Sequence, residues 1–600
     1  LERTALTVVV TSRIGLGLLA EAELPVPPLA LPSDGASVEE IAAAPAVAMF
    51  VDRAAAAARA AGRSFALAGH EDAVARLCRM LDGLPLALEL AAARVKLLGL
   101  DRLLAALPEG LGVLTTTAAD VPERHRALDR TIEWSYQRLE DEARVMCDRL
   151  ALFEGGFTLD ALEAVCPDVP DVLDLVAAIS DARLVTAVES RVEVRFAMLG
   201  TVRAFAHRNL RGHADLADRR RRLADHLSGQ VAVWSKEVEG PDGVLALGRF
   251  ADEAADVEAS IGRALDDGDL DLATRLIRGS AELWVASGRL STGGALVARA
   301  RDVAPDSAEL LLVAGQLAYH LTEWEEARDL CARALELAAD ADVDDPDSAA
   351  LRSAAECYVA GALAILGDPS AATTHAERAL ALAEEHDLYP QVAVALAMNA
   401  IVFGVQGQFD QEAALHLRRL EVVRKHGDVT RIADTLNTLA EIALDEDDVD
   451  TAAAYAVESQ TMAGTSRVPE ARDARITLAR ALVAGGDLVG ATTTLREALV
   501  LADRTRQRLA RAQCLRVGGA IATRAGRHDD AVRLFAAAEA TSSSPGGSEE
   551  PVERDLAGAL SSARDLLGGA AATRAWTLGG LASATAARDL LDDVLATAAT

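Results

Sequence analysis

Turn signals recur at a nearly fixed interval along the second half of this chain, and such regularity points to stacked repeats. Gly367-Asp368, Gly407-Gln408, Asp447-Asp448, Gly486-Asp487 and Gly526-Arg527 follow one another at 40, 40, 39 and 40 residues. Thr322-Glu323-Trp324 lies 45 residues before the first of them. After each turn come a few polar residues, then Ala, then apolar positions at helical spacing: Ala327 to Leu337, Ala371 to Leu382, Ala413 to Leu420, Ala452 to Tyr455, Ala491 to Leu501 and Ala531 to Ala540. Gly or Asp supplies the tight turn, and Ala lets two helices of a pair approach closely. One pair cannot bury its own apolar face, so neighbours must stack into a solenoid. A plain helical bundle is the alternative, and the regular period argues against it.

This pattern resembles the tetratricopeptide family in a longer variant of about 40 residues. The resemblance implies a superhelix with a concave binding surface. Weaker turns at Asp267-Gly268 and Gly288-Arg289 place the first helical pairs near residue 245. The Ser/Gly/Pro-rich stretch Thr541 to Glu550 reads as a flexible loop. The last two helices, one carrying Trp576, are expected to cap the stack.

The chain has 600 residues, too many for one core, so further domains are expected upstream. Its net charge of −32 argues against broad binding to nucleic acid or anionic membranes. Its densest basic run is Arg219 to Arg222, for which the plainer reading is a solvated helix face. The six cysteines (Cys78, Cys147, Cys166, Cys331, Cys357, Cys514) have no paired spacing, as expected of buried thiols in a reduced, cytoplasmic protein. No apolar run approaches the roughly 18–20 residues of a membrane span. The chain opens Leu1-Glu2-Arg3, without Met, and is expected to be a fragment lacking an N-terminal part.

Leu6 to Val10 suits a buried parallel strand, ending in Thr11-Ser12-Arg13. Ligands bind at the carboxyl ends of such strands, where a cation can meet a phosphate. Alone, that tripeptide is a weak signal, and its plainer reading is an arginine at a strand end pairing with a nearby acid. Downstream come Ala46 to Ala54 and then Leu81-Asp82-Gly83-Leu84-Pro85-Leu86-Ala87. Gly-Leu-Pro-Leu-Ala at a helix start resembles the signature of STAND-class signalling ATPases of the NB-ARC type, and more narrowly the actinobacterial regulators of the AfsR and LuxR kinds. Proline fits near a helix start because its missing N–H is not needed there. Thr131 to Tyr136, Leu150 to Thr158 and Val194 to Phe205 resemble the winged-helix domain that follows in that family. The match covers nearly the whole chain, with four motifs in order.

The resemblance implies a mainly α chain. Residues 1–33 would be the end of an α/β P-loop NTPase core, 34–115 a helical subdomain, 116–215 a winged helix, 216–244 a linker helix and 245–600 the repeats. It implies ATP or ADP as cofactor in the full-length protein, with Arg13 near the γ-phosphate and Pro85 against adenine, Thr11 and Ser12 being adjacent. There are two departures. The family's His-Asp pair in the wing is replaced by Leu199 and Gly200. The phosphate loop is missing too: the only lysines are Lys96, Lys236 and Lys425, none in a Gly-Lys-Ser/Thr context, and no acidic Walker B strand is present. No hydrolysis is therefore expected from these residues alone.

Other chemistry finds no support. No HExxH, paired His/Cys spacing or GxSxG is present. His375 and His386 fall on repeat helices as ordinary packed or solvated side chains. The acidic stretches Asp342 to Asp347 and Asp445 to Asp450 sit at turns without an EF-hand pattern. The expected role is the sensor and switch portion of a signal-transducing transcriptional regulator. A protein or small-molecule ligand would bind the solenoid, DNA would be reached only through a missing effector domain, and self-association is possible in this class. A non-catalytic scaffold with a degenerate ATPase remnant is the alternative.

Overall fold

The computed structural model describes residues 24, 26–32, 38–60, 64–107, 128–190, 193–238, 242–339, 345–464, 468–505, 508–542 and 553–598. The strand expected at Leu6 to Val10, and with it Thr11, Ser12 and Arg13, lies outside them. Among the described residues the chain is nearly all helical, with one two-stranded sheet. It divides into two compact units, residues 1–229 with 251–263, and residues 230–250 with 264–600.

The first unit begins with α1 (Val38–Ala43), α2 (Pro45–Ala60), α3 (Glu71–Met80), α4 (Pro85–Leu98) and α5 (Leu100–Ala106). Phe50, Leu77, Leu81, Leu88 and Leu103 are fully buried between them. Next come α6 (Leu128–Tyr136), α7 (Asp141–Leu150), α8 (Leu159–Val165), α9 (Val172–Asp181), the antiparallel hairpin β1 (Thr186–Glu189) and β2 (Val194–Ala197), and α10 (Gly200–Leu210). The residues Phe153 to Phe157 feed a short bridge onto the hairpin, with Phe157 opposite Phe196. Tyr136 donates to Asp148 Oδ2 at 2.9 Å and Asn209 to Oδ1 at 3.1 Å, joining α6, α7 and α10 through one buried carboxylate.

Helix α11 (Leu216–Glu237) carries the arginine run. The expectation of a solvated face fails at Arg219. Its side chain is buried and donates to Asp168, Asp215 and the Val165 carbonyl, while Arg221 and Arg222 stay on the surface beside Asp225 and Asp218. Carboxylates 4 and 51 residues away neutralise it, and the distant one is invisible in a local pattern. Helix α12 (Gly243–Asp266) gives residues 251–263 to the first unit and its ends to the second.

The repeats follow as pairs: α13 (Leu270–Ser287) with α14 (Leu290–Val303), α15 (Ala308–His320) with α16 (Trp324–Leu337), and α17 (Pro346–Ile365) with α18 (Pro369–Glu385). Then come α19 (Tyr389–Val405) with α20 (Phe409–His426), α21 (Val429–Asp445) with α22 (Val449–Ala463), α23 (Val468–Gly485) with α24 (Leu488–Thr505), and α25 (Arg508–Arg524) with α26 (His528–Ser542). The turn residues Gly288, Thr322, Gly367, Gly407, Asp447, Gly486 and Gly526 all have positive φ. That conformation stops one helix and reverses the chain. The next helix is then often capped by an aspartate: Asp368, Asp448 and Asp487 each accept from a backbone N–H three residues on. The acidic turns are thus partly capping devices, and Asp345 does the same for α17.

Inside the pairs, Ala327, Ala372, Ala376, Ala452, Ala456, Ala491 and Ala531 are fully buried. Buried hydroxyls and amides stitch the helices: Ser353 donates to the Ala379 carbonyl, Asn399 to Ala376 and Ser459 to Ala433. Helix α26 continues through Thr541 and Ser542, where a loop was expected, with Thr541 Oγ1 donating back to the Ala537 carbonyl. Residues 543–550 lie outside the described residues. Three helices follow instead of two: α27 (Arg554–Leu567), α28 (Gly569–Gly580) and α29 (Ala584–Ala598). They close the core of the final repeat, with Leu591 of α29 in one buried cluster with Leu534 and Phe535 of α26, and Arg564 lies 4.1 Å over the Trp576 ring. His386 follows the last residue of α18 rather than lying within it.

Candidate functional site

The Gly-Leu-Pro-Leu-Ala motif opens α4 as its residues dictate. Leu84 is extended, as a residue before proline must be, and Pro85 is the first helical residue, exposed at the N-terminus. Gly83 has φ +63, and a Cβ there would run into the Leu29 carbonyl oxygen, so only glycine fits. The Leu29 N–H donates to the Gly83 carbonyl at 3.1 Å, laying residues 26–32 against the motif. Pro85 therefore stands at an open surface.

Asp82, just before this glycine, makes a long-range contact that sequence reasoning missed. Its Oδ1 accepts from the Gly200 N–H at 2.9 Å, and its Oδ2 from the Thr201 N–H at 2.9 Å and the Thr201 hydroxyl at 3.0 Å. A carboxylate thus caps the N-terminus of α10 across 118 residues of chain, where the helix dipole favours negative charge. Burial raises its pKa despite those three bonds. The cap lands on Gly200 at the first residue of α10. The one local hint was an Asp-Gly turn with positive φ at both residues.

A second group of buried charges holds α12 within the first unit. Asp256 is fully buried and accepts from the backbone N–H of Glu154 at 2.6 Å and of Gly155 at 2.9 Å. Desolvation pushes its carboxyl up to about 7 against the pull of those two donors, with Glu253 and Glu154 adding repulsion. Arg195 on β2 donates to Glu253, and also to the Gly156 carbonyl at 3.0 Å and the Asp252 carbonyl at 3.2 Å. The side chains of Arg195 and Glu253 are 3% and 8% exposed. The Gly155-Gly156 pair makes this possible: a Cβ on Gly155 would meet the Asp252 carbonyl, and one on Gly156 the Phe196 carbonyl.

On the repeats, two adjoining hollows share Glu441 as a wall. One, of about 360 Å³, lies between α19, α20 and α21; the other, of about 200 Å³, lies between α21, α23, α25 and the residue before α27. Most of their residues come from the first helices of successive pairs, with Phe409 and Glu412 from α20 and Glu553 from before α27, so the repeat period largely brings them into line. No cluster able to hold a metal ion occurs among the described residues, and none of their helices is long and apolar enough to cross a membrane. All six cysteines are free and buried.

No protein-family model matches the chain. Over 293 residues it is 29% identical to a Mycobacterium tuberculosis (strain H37Rv) protein named "Putative HTH-type transcriptional regulator Rv0890c", covering 48% of this chain and 31% of that one. Over 218 residues it is 34% identical to "Uncharacterized protein Rv0894" of the same strain, covering 35% of this chain and 52% of that one. The chain thus spans about a third of the length of the first relative and about half that of the second. Among solved structures it resembles a Signal Transduction ATPase with Numerous Domains (STAND) protein with a tetratricopeptide repeat sensor from Pyrococcus horikoshii, with TM-score 0.46 and 14% identity over 90% of this chain and 74% of that one. It also resembles a Rap protein complexed with Competence and Sporulation Factor, with TM-score 0.38 and 13% identity over 62% of this chain and 99% of that one. The chain is a nearly all-helical protein with a tetratricopeptide-like repeat array, and its relatives include proteins named as transcriptional regulators.

Proposed function

We propose that this chain is the sensor and switch portion of a STAND-type, signal-transducing transcriptional regulator. The repeats take a ligand or partner protein, and a nucleotide-dependent switch reads that binding out. ATP or ADP is held in the full-length protein with Arg13 and Pro85 among its contacts. The relatives' names support the regulatory role, and the exposed Pro85 at the start of α4 is compatible with an adenine contact.

The observation that carries the reading is α12. This one helix contributes to both units, and its middle is fixed by a buried ion pair and a buried carboxylate. Burying charge is costly, and such pairs are best attested where they set one defined arrangement of elements. A scaffold that merely collects partners has no need of such a lock at its first repeat. A ligand that binds one arrangement better than another shifts the equilibrium by its differential affinity.

The test uses the natural full-length protein and a fluorescent ADP analogue. Arg13→Ala and Pro85→Ala should each weaken binding by about tenfold or more, the scale of one lost charged or stacking contact. Unchanged affinity in both variants rejects the nucleotide switch and leaves the scaffold. The coding sequence upstream of Leu1 discriminates as well: an in-frame GxxxxGK[ST] followed by an acidic strand is required by the switch reading.

A further inference from the structure

The first helices of successive repeat pairs pack along one another from α13 to α19 and again from α21 to α25, whereas α19 and α21 meet near their N-terminal ends, where Ala393 shares a buried cluster with Ile432 and Leu436 and Tyr389 donates to Asp428, and approach each other less closely than the other first helices do. The larger hollow opens between them. Its floor and lip are apolar: Ile401, Val405 and Phe409 remain 37%, 55% and 41% exposed, with Ile442 beside them. Its rim is acidic, formed by Glu412, Glu441, Asp445 and Glu446, with no basic residue in the lining. Glu412 and Glu446 have no ion-pair partner among the described residues.

The smaller hollow continues from Glu441. It contains Arg472 and Arg480, but their charge is already used. Arg480 donates to both oxygens of Asp555 at 2.8 and 3.3 Å, and Arg472 holds both oxygens of Asp473 at 2.7 and 2.9 Å. One buried atom in this lining, Asn437 Oδ1, has no hydrogen-bond partner among the described residues, while Glu553 Oε2 lies 3.8 Å from Arg516 Nη1. Asn437 Oδ1 is an acceptor, so an N–H group of a ligand would satisfy it. Burial supports the same sign at Glu412, whose carboxyl it raises, so a cation would relieve it, whereas Glu441 already has Arg480 Nη1 4.0 Å away.

We infer that these hollows form one docking groove for an extended peptide segment bearing Lys or Arg beside large aliphatic or aromatic side chains. The inference rests on the sensor reading of the repeats and names the chemistry of what they sense. The aliphatic side chains lie on Ile401, Val405, Phe409 and Ile442. The cationic head meets Glu412, Glu441, Asp445 and Glu446. A backbone N–H group reaches Asn437. A peptide fits the length better than a small amine. The groove crosses from α19 to α25, three steps of roughly 9 Å between packed helices, which an extended chain at about 3.3 Å per residue spans with roughly eight residues. The net charge of −32 adds long-range attraction for such a segment.

The experiment uses the 600-residue chain and four labelled synthetic octapeptides, read by fluorescence anisotropy: alternating Leu/Arg, Leu/Gln, Leu/Glu and Gly/Arg. The Leu/Arg peptide should bind about tenfold or more tighter than each of the others, and weaken as salt is raised. Phe409→Ala, and the pair Glu412→Gln with Asp445→Asn, should each reduce its affinity about fivefold or more. Glu377→Gln, an exposed carboxylate of α18 outside the groove, should leave it unchanged. Equal binding of Leu/Gln or Leu/Glu overturns the cationic assignment. Full binding in the groove variants, or no saturable binding up to about 1 mM, overturns the groove. The nucleotide measurement above needs no peptide, so the switch reading stands or falls independently.

Discussion

The lock on α12 makes the sharpest quantitative prediction. Arg195→Met leaves the buried Glu253 carboxyl and the carbonyls of Gly156 and Asp252 without their donor. Glu253→Leu leaves the buried guanidinium with only those carbonyls. Each single change should cost about 3–5 kcal/mol, the penalty of stranding one partner of a buried pair. The double variant removes both charges, so it should cost about as much as one single change, giving a coupling energy of about 3 kcal/mol. The readout is amide hydrogen exchange in peptides covering residues 152–158, because Asp256 on the same helix holds the Glu154 and Gly155 N–H groups. In each single variant, protection there should fall by roughly two to three orders of magnitude, at about 1.4 kcal/mol per factor of ten. The double variant should fall no further. Additive losses, or unchanged protection in the singles, would show that Arg195 and Glu253 do not fix α12 and would remove the observation on which the switch rests.

Asp82→Ala should cost about 1–3 kcal/mol by stranding the first N–H groups of α10, with exchange at Gly200 and Thr201 rising while α4 keeps its protection. Asp256 titrates near 7 in the folded chain, above the value near 4 of an unfolded aspartate. Between those values the folded state holds a proton that the unfolded state has released, so stability falls as pH rises through the window and is highest below it. The Tm of the wild type should therefore drop more from pH 5 to pH 8 than that of Asp256→Asn; equal drops would refute this. Gly315→Ala would drive a Cβ into the Cys331 sulfur and should cost about 1–3 kcal/mol in urea unfolding. Gly294→Ala meets nothing within 4 Å and should be neutral or stabilising by up to about 1 kcal/mol.

The features legible in the sequence share a local cause. A left-handed turn residue such as Gly367 or Asp447, an aspartate that caps three residues later and an Ala that must be small are each decided within one helix pair, so their spacing survives as a period. Pro85 at the start of α4 is legible for the same reason. What stayed hidden depends on distant partners. Arg219 reads as one of four surface arginines until Asp168 is brought to it across 51 residues. Asp82 reads as half of an Asp-Gly turn until α10 arrives. The extra terminal helix was missed because α27 to α29 lack the period that marked the earlier pairs. The Arg13 assignment lies outside the described residues.

The period also explains why its own interruption matters. In a stacked array each helix pair buries its apolar face on the next, and each Å² left in water forgoes about 25 cal/mol. The chain meets that demand at every other step between first helices from α13 to α25. At α19 and α21 it meets it in part, through Ala393, Ile432 and Leu436, and leaves Ile401, Val405 and Phe409 37%, 55% and 41% exposed. The acids at the same place work in the same direction. Elsewhere on the repeats, many carboxylates cap helices, as Asp368 and Asp448 do, or pair with arginines, as Glu309 does with Arg278. Glu412 does neither, and sits where burial disfavours its charge. A surface that keeps Ile401, Val405 and Phe409 exposed beside Glu412 and Glu446, which have no ion-pair partner among the described residues, is best explained by a partner that supplies apolar contact and positive charge together.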